Sequence, residues 1–179
     1  ILEKIDRNTI EGKKDYANMI KWAKILGEQG DPGGEELLGK AYMFGDGVQM
    51  DYSKAEYWFK KSAEKGSIES QKGLGHLYYY YFKDIGVIQS YKEAAKWFLK
   101  AAEQGIAVAE HNVGASYAQG QGVDKDEKEA FRWFKKAADQ GLADAQYILG
   151  LYYSEGIGVD KDEKEASIWF QKAAEQGVV

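Results

Sequence analysis

The chain of 179 residues has no cysteine and only one proline. The first absence excludes a disulfide-stapled scaffold and thiol catalysis. The second argues against a loop-rich fold, so packing alone must hold the structure together. Long apolar runs are missing as well. No stretch reaches the roughly 18 to 20 residues that cross a bilayer, and nothing at the start reads as a signal peptide. Positive charge is in short supply: the net charge is -5, and only Arg7 and Arg132 can fork onto a phosphate, which makes nucleic acid and anionic membrane poor main partners. The first residue is Ile1 and not methionine, a start that fits a removed or omitted leader and leaves the compartment open.

What the chain has in quantity is arranged periodically. Hydrophobic residues make up 44% and aromatics 14%, ample for a packed interior. The nonapeptide GVDKDEKEA stands at 122–130 and again at 158–166. The tryptophans Trp22, Trp58, Trp97, Trp133 and Trp169 follow one another at intervals of 36, 39, 36 and 36, and Gly30, Gly66, Gly105, Gly141 and Gly177 keep the same spacing. Such self-similarity marks stacked units, none of which can bury its apolar face alone.

Each unit reads as two helices. In the second, Ala130, Trp133, Phe134, Ala137 and Ala138 form one helical stripe, and Ala166, Trp169, Phe170, Ala173 and Ala174 repeat it. Seven residues before each tryptophan come Asp15, Asp51, Ser90, Asp126 and Asp162, expected N-caps; Glu93, Glu129 and Glu165 are placed to complete capping boxes. The glycine after each second helix suits a left-handed C-terminal residue. In the first helix the sets Gly34, Leu38, Tyr42; Ser70, Leu74, Tyr78; Ala109, Val113, Tyr117; and Ala145, Leu149, Tyr153 make a packing stripe. Beside it Gly39, Gly75, Gly114 and Gly150 cost about 1 kcal/mol each relative to alanine, which predicts close approach of a neighbouring helix. The joining turns are GDGV, DIGV, GQGV and GIGV.

This frame gives the acids of GVDKDEKEA a structural task as turn, cap and solvated first turn. A calcium loop would spread oxygen ligands over about twelve residues around a central glycine, whereas lysines here fall between the acids. The G-x-G turns lack the preceding strand and further signals of a nucleotide loop.

The pattern A-x-A-Q-x-x-L-G-x-x-Y-x-x-G-x-G-V-x-x-D-x-x-K-A-x-x-W-F-x-K-A-A-x-x-G resembles the Sel1-like repeat, a relative of the tetratricopeptide repeat. It is plainest at 143–177 and 107–141, weaker at 32–66 and 68–105, and residues 15–30 resemble only a second helix. The resemblance implies an all-α fold, an α/α right-handed superhelical solenoid of antiparallel helix pairs, in a bacterial protein that serves as scaffold or adaptor for other proteins and has no chemistry or cofactor of its own. A periplasmic or secreted location after leader removal fits that setting. The expected division is a partial repeat or capping helix at 1–30 followed by repeats at 31–66, 67–105, 106–141 and 142–177. Two departures are expected to show: DPGG at 31–34 shortening its helix, and three extra residues in the turn of the second repeat bulging its loop.

The expected binding surface is the concave wall formed by the first helices, on the side opposite their packing stripe. Its residues are Glu36, Lys40 and Met43; Lys72, His76 and Tyr79; His111, Ala115 and Ala118; and Tyr147, Leu151 and Ser154. A merely solvated face would be rich in Lys and Glu, whereas this one holds aromatics, a methionine and both histidines, residue types common at interface anchors. A groove for a partner protein or peptide follows, anchored by Tyr79, Tyr147 and Leu151, with Lys40 and Lys72 meeting acidic groups. Burial against neighbouring first helices is the competing reading of the same residues. The run YYYYF at 78–82 is read as core or loop anchoring or as a sticky patch. His76 and His111 with an acid such as Glu36 would suffice for zinc only if brought together; no metal site is expected. A regulatory or immunity protein that clamps a toxin or secreted enzyme is the alternative function. A hydrolase is the other, but no Ser-His-Asp ordering or unassigned acid speaks for it. The last helix ends with Val178 and Val179 and no polar helix beyond it, so the protein is expected to continue or to pack this end on another molecule.

Overall fold

A computed structural model describes residues 10–81 and 87–178, with side chains described at 16–81 and 90–178. Among the described residues all regular structure is helical: α1 (Ile10–Glu28), α2 (Pro32–Phe44), α3 (Tyr52–Glu64), α4 (Ile68–His76), α5 (Val87–Ala102), α6 (Ala107–Gln119), α7 (Glu127–Asp139), α8 (Ala143–Glu155) and α9 (Glu163–Glu175). One π-helical turn, Leu77–Tyr81, follows α4 directly. The chain divides into two compact units, one ending at Tyr81 and the other beginning at Phe82. Within each unit consecutive helices pack on one another, so that α2 and α3, α6 and α7, and α8 and α9 form hairpins.

Side-chain oxygens start several of these helices. Asp51 accepts from the Lys54 amide, and Asp126 and Asp162 each accept from two amides of the first turn. The capping boxes, however, are only half made. The amides of Asp126 and Asp162 donate to the carbonyls of Tyr117 and Tyr153 at 3.1 and 2.9 Å, so Glu129 has no cap amide to receive and pairs with Arg132 instead. Asp15 and Ser90 are not caps at all. α1 and α5 begin upstream of them, at Ile10 and Val87, which places both residues inside a helix.

The proline of DPGG does not shorten its helix. Pro32 occupies the first helical turn, where its missing N–H costs nothing, and Asp31 caps the Gly34 amide at 2.8 Å. α2 therefore has 13 residues, as α6 and α8 do. In the second repeat the chain widens into the π turn at Leu77–Tyr81, within the first helix and ahead of the loop expected to bulge. The DIGV turn, apart from Val87, and Phe82 lie outside the described residues.

The internal glycines admit a phenylalanine. A Cβ on Gly39 would stand 2.4 Å from the Phe59 ring, one on Gly114 2.9 Å from Phe134, and one on Gly150 2.6 Å from Phe170. Phe59 is also met by Gly73 of α4, at 2.9 Å from a Cβ there, so in the first unit a single ring is wedged between two first helices. Of the small residues in the second-helix stripe, Ala137, Ala138 and Ala173 are buried, but Ala174 is exposed because no described helix packs on that side.

A polar clamp, unforeseen in the sequence, recurs beside this core. The residue after the small first-turn residue of the first helix is buried although polar: Glu35, Gln71, Glu110 and Gln146. In three hairpins it meets a side chain 30 positions on, just before the helix-ending glycine. Lys65 donates to Glu35 at 2.6 Å, Gln140 to Glu110 at 2.7 Å and Gln176 to Gln146 at 2.8 Å. Lys65 and Gln176 also donate to the Gly30 and Gly141 carbonyls at 2.8 and 3.0 Å, tying one hairpin to the end of the preceding second helix.

The Glu110 clamp is the weak copy. Burial pushes the Glu110 carboxyl up, and the Gln140 amide only partly offsets this. A raised folded-state pKa means the native state binds the proton more readily than the unfolded chain, so this residue costs stability as pH rises from the ordinary glutamate value through the raised one. Glu110→Gln recreates the Gln146–Gln176 pair and is expected to raise stability at pH 7 by about 1 kcal/mol, or about 3 °C in Tm. Thermal melts of both proteins should converge as the pH falls to about 4, where the native carboxyl is protonated.

Candidate functional site

In the first unit, the side of α2 and α4 turned from the packing stripe carries a chain of alternating charges. Lys40 donates to Glu36 at 2.7 Å, Glu36 accepts from the Ser67 hydroxyl at 2.8 Å, and Lys40 lies 3.9 Å from Glu69, which accepts from Lys72 at 2.7 Å. The hydrogen bond from Lys72 holds the Glu69 carboxyl below its usual range. Lys40 and Lys72, expected to wait for a partner's acids, are thus already paired, and a partner must compete for them at a half-exposed rim.

This row ends in aromatics. Burial lowers the His76 pKa, with Lys72 adding to the effect and Glu69 opposing it. Its ring lies 6.1 Å from that of Tyr80, and Tyr80 in turn packs edge-on to Tyr79 at 4.7 Å. Tyr79 is half-buried and Tyr80 largely exposed; the Tyr81 ring lies tilted against that of Tyr52, with centroids 4.6 Å apart. Tyr78 belongs to packing, its hydroxyl donating to Glu56 at 2.5 Å, and burial raises its pKa to about 12. The YYYYF run is therefore divided between anchoring and exposure.

Met43 does not belong to this surface. It is 6% exposed, because it lies one turn beyond Gly39 on the side that faces Phe59. At the other edge of α2, Lys40 joins Tyr16, Met19, Leu37, Ala41, Phe44 and Asp46 around a pocket of about 100 Å³, enough for one aliphatic side chain. Phe44 is exposed at its mouth, and sequence reasoning missed it because it follows the last turn of the periodic pattern.

In the second unit the corresponding residues on α6 and α8 rest on the second helices. The His111 ring meets Phe134 edge-on at 5.3 Å, and Tyr147 lies 5.6 Å from Phe170. Burial lowers the His111 pKa, with Asp144 opposing. Ala115 packs at the margin of the Ala130, Phe134 and Tyr152 cluster, while Tyr147 and Leu151 keep part of their surface in water. His76 and His111 fall in different units, and among the described residues no group of three His, Cys, Asp or Glu side chains is disposed to hold a metal. No described helix is long and apolar enough to cross a membrane.

Comparison with known proteins agrees with this architecture. The Sel1 repeat family model matches four times, at residues 34–67, 68–106, 107–142 and 143–178. No curated protein matches the chain. Among solved structures, a protective antigen of uropathogenic Escherichia coli with an SLR fold is 38% identical with a TM-score of 0.77, over 87% of this chain and 32% of that one. A Sel1 repeat protein from Oxalobacter formigenes is 31% identical with a TM-score of 0.76, over 88% of this chain and 62% of its own. Cysteine-rich protein B of Helicobacter pylori is 26% identical with a TM-score of 0.54, over 72% and 90%. The chain spans about a third of the first relative and less than two thirds of the second. Four matched repeats, helix pairs throughout the described residues and a shared solenoid fold lead to one conclusion: the chain belongs to the Sel1 repeat family.

Proposed function

We propose that this protein is a protein–protein interaction scaffold that holds a partner protein or peptide against the outer sides of its first helices, α2 and α4 in one unit and α6 and α8 in the other. The observation that carries this reading is that Tyr147 and Leu151 on α8 and Tyr79 on the π turn after α4, large apolar or aromatic residues, keep part of their surface in water. Tyr147 is braced by Phe170, so little side-chain freedom remains to be lost on binding. Glu36, Lys40 and Lys72 supply a charged rim beside the half-buried His76, and His111 and Ala115 flank the anchors in the second unit. Because Lys40 and Lys72 already hold Glu36 and Glu69, salt should weaken the complex only modestly.

The test is affinity capture with the intact chain, followed by calorimetric titration of the retained protein. Tyr79→Ala and Tyr147→Ala are each expected to weaken binding at least about tenfold with the fold intact by circular dichroism. Unchanged affinity in both folded variants would remove these faces from the interface.

A further inference from the structure

The first helix of the second repeat ends unlike the others. α2, α6 and α8 each stop at a glycine in the left-handed conformation, Gly45, Gly120 and Gly156, with φ of +74°, +66° and +71°. One 36-residue interval after Gly45 stands Tyr81, and a tyrosine is poorly suited to that conformation. The chain there takes the π turn Leu77–Tyr81 instead, and no described residue other than glycine has a positive φ. At the end of this turn the Tyr81 ring meets that of Tyr52, the first residue of α3, with centroids 4.6 Å apart and planes tilted by 35°.

Tyr52 is itself a departure, since α7 and α9 begin with Glu127 and Glu163. In the second unit a hydrogen bond from the Tyr152 hydroxyl to Glu127, at 3.1 Å, joins the first turn of α7 to the following first helix. In the first unit two phenol rings make the corresponding contact. Tyr52 is half-buried and Tyr81 is 37% exposed, so an oxidant in water reaches the pair while its rings stay together. Rings tilted by 35° lie broadly face to face, and modest side-chain rotation brings together the carbons beside the two hydroxyls. The neighbouring tyrosines are less well disposed: Tyr79 and Tyr80 meet edge-on, with planes at 72°, and the Tyr78 hydroxyl is held by Glu56.

We propose that Tyr52 and Tyr81 form an oxidative cross-linking site, joined as dityrosine by hydrogen peroxide and a haem peroxidase. Each phenol gives up one electron and one proton, and the two phenoxyl radicals couple through the ring carbons beside their oxygens. The hydrogens on those carbons then move to the oxygens, which restores two phenols. Peroxide takes up the two electrons and two protons and leaves as two waters. The bond ties the end of the π turn to the first turn of α3. In a chain without cysteine it does the work of a disulfide, closing the segment between Tyr52 and Tyr81 in the unfolded chain as well as the folded one.

The whole chain is treated with peroxide and peroxidase at about 10 μM, far below the millimolar effective concentration of groups held on one chain. The expected product is a monomer lighter by two hydrogens, with dityrosine fluorescence, whose proteolytic map joins the Tyr52 peptide to the Tyr81 peptide. Tyr52→Phe and Tyr81→Phe keep a ring at each position and should leave the circular dichroism spectrum unchanged, yet each should lower the yield of this monomer at least about tenfold. The linked chain should melt at least about 5 °C higher than the untreated one. Dityrosine found only between chains overturns the proposal, since it would place the reaction at exposed residues such as Tyr57 or Tyr80. So does a map that joins Tyr79 to Tyr80, a yield indifferent to Tyr52→Phe, or a linked chain that melts no higher, which would mean that the bond strains the contact it closes.

Discussion

Gly158→Ala is expected to destabilise the second unit by about 4 kcal/mol, a left-handed penalty of about 1 to 2 kcal/mol combined with overpacking of similar or larger size. Gly158 has φ +65°, and a Cβ there would stand 2.2 Å from the carbonyl oxygen of Glu127 and 2.6 Å from its carbonyl carbon. Both belong to the backbone at the start of α7, which cannot turn aside as a side chain could. The second glycine of the G-x-G turn thus does more than reverse the chain: it lets the turn of one hairpin sit against the first turn of the preceding second helix. Gly141→Ala is the control. Gly141 has φ +91° with nothing within 4 Å of a Cβ, so only the conformational penalty of about 1 to 2 kcal/mol applies. Urea unfolding of the two variants should separate them by at least about 2 kcal/mol; equal losses would mean that the turn relaxes away from α7.

Lys65→Met should be nearly as damaging to the first unit, by about 3 kcal/mol. Glu35 has no exposed surface, and its Oε1 accepts from Lys65 at 2.6 Å while Lys61 stands off at 3.6 Å. Removing Lys65 leaves a buried carboxylate with its nearer cation gone and its second oxygen already without a partner. The Gly30 carbonyl loses its side-chain donor as well. The Gln146–Gln176 clamp supplies the rescue. In the double variant Glu35→Gln, Lys65→Gln the charge is removed and the amide pair can form, so most of the loss should be recovered in the same urea titration. If Lys65→Met costs under about 1 kcal/mol, the value of an exposed pair, the clamp is not a buried interaction in solution.

Much of this architecture was legible in the sequence because a repeat states its rules several times over. Asp51, Asp126 and Asp162 cap as their spacing required, and Gly39, Gly114 and Gly150 lie against a phenylalanine as their cost in a helix implied. The same rules misled where a copy departs from the others. Asp15 and Ser90 sit at the cap position of the pattern, but α1 and α5 continue upstream of them. Pro32 looked like a breaker and is a helix start, since Asp31 supplies the cap that makes the position compatible.

The candidate site was less legible, for a geometric reason. Met43 lies one turn beyond Gly39, on the side that receives the Phe59 ring, so setting it with Lys40 on the open side misplaces it, and it is buried. The clamp residues left a faint signal, a recurrent Gln or Lys before each helix-ending glycine. Long polar side chains at such places usually point to water, and only packing reveals that their partners Glu35, Glu110 and Gln146 do not.

Hydrogen–deuterium exchange of the chain with and without a captured partner tests the central claim most directly. The account predicts added protection along α2 and α4, along α6 and α8, or along both pairs, with the first turns of α7 and α9 unchanged because Asp126 and Asp162 serve their own helices. Protection centred on those two first turns, with the first helices unaffected, would contradict it.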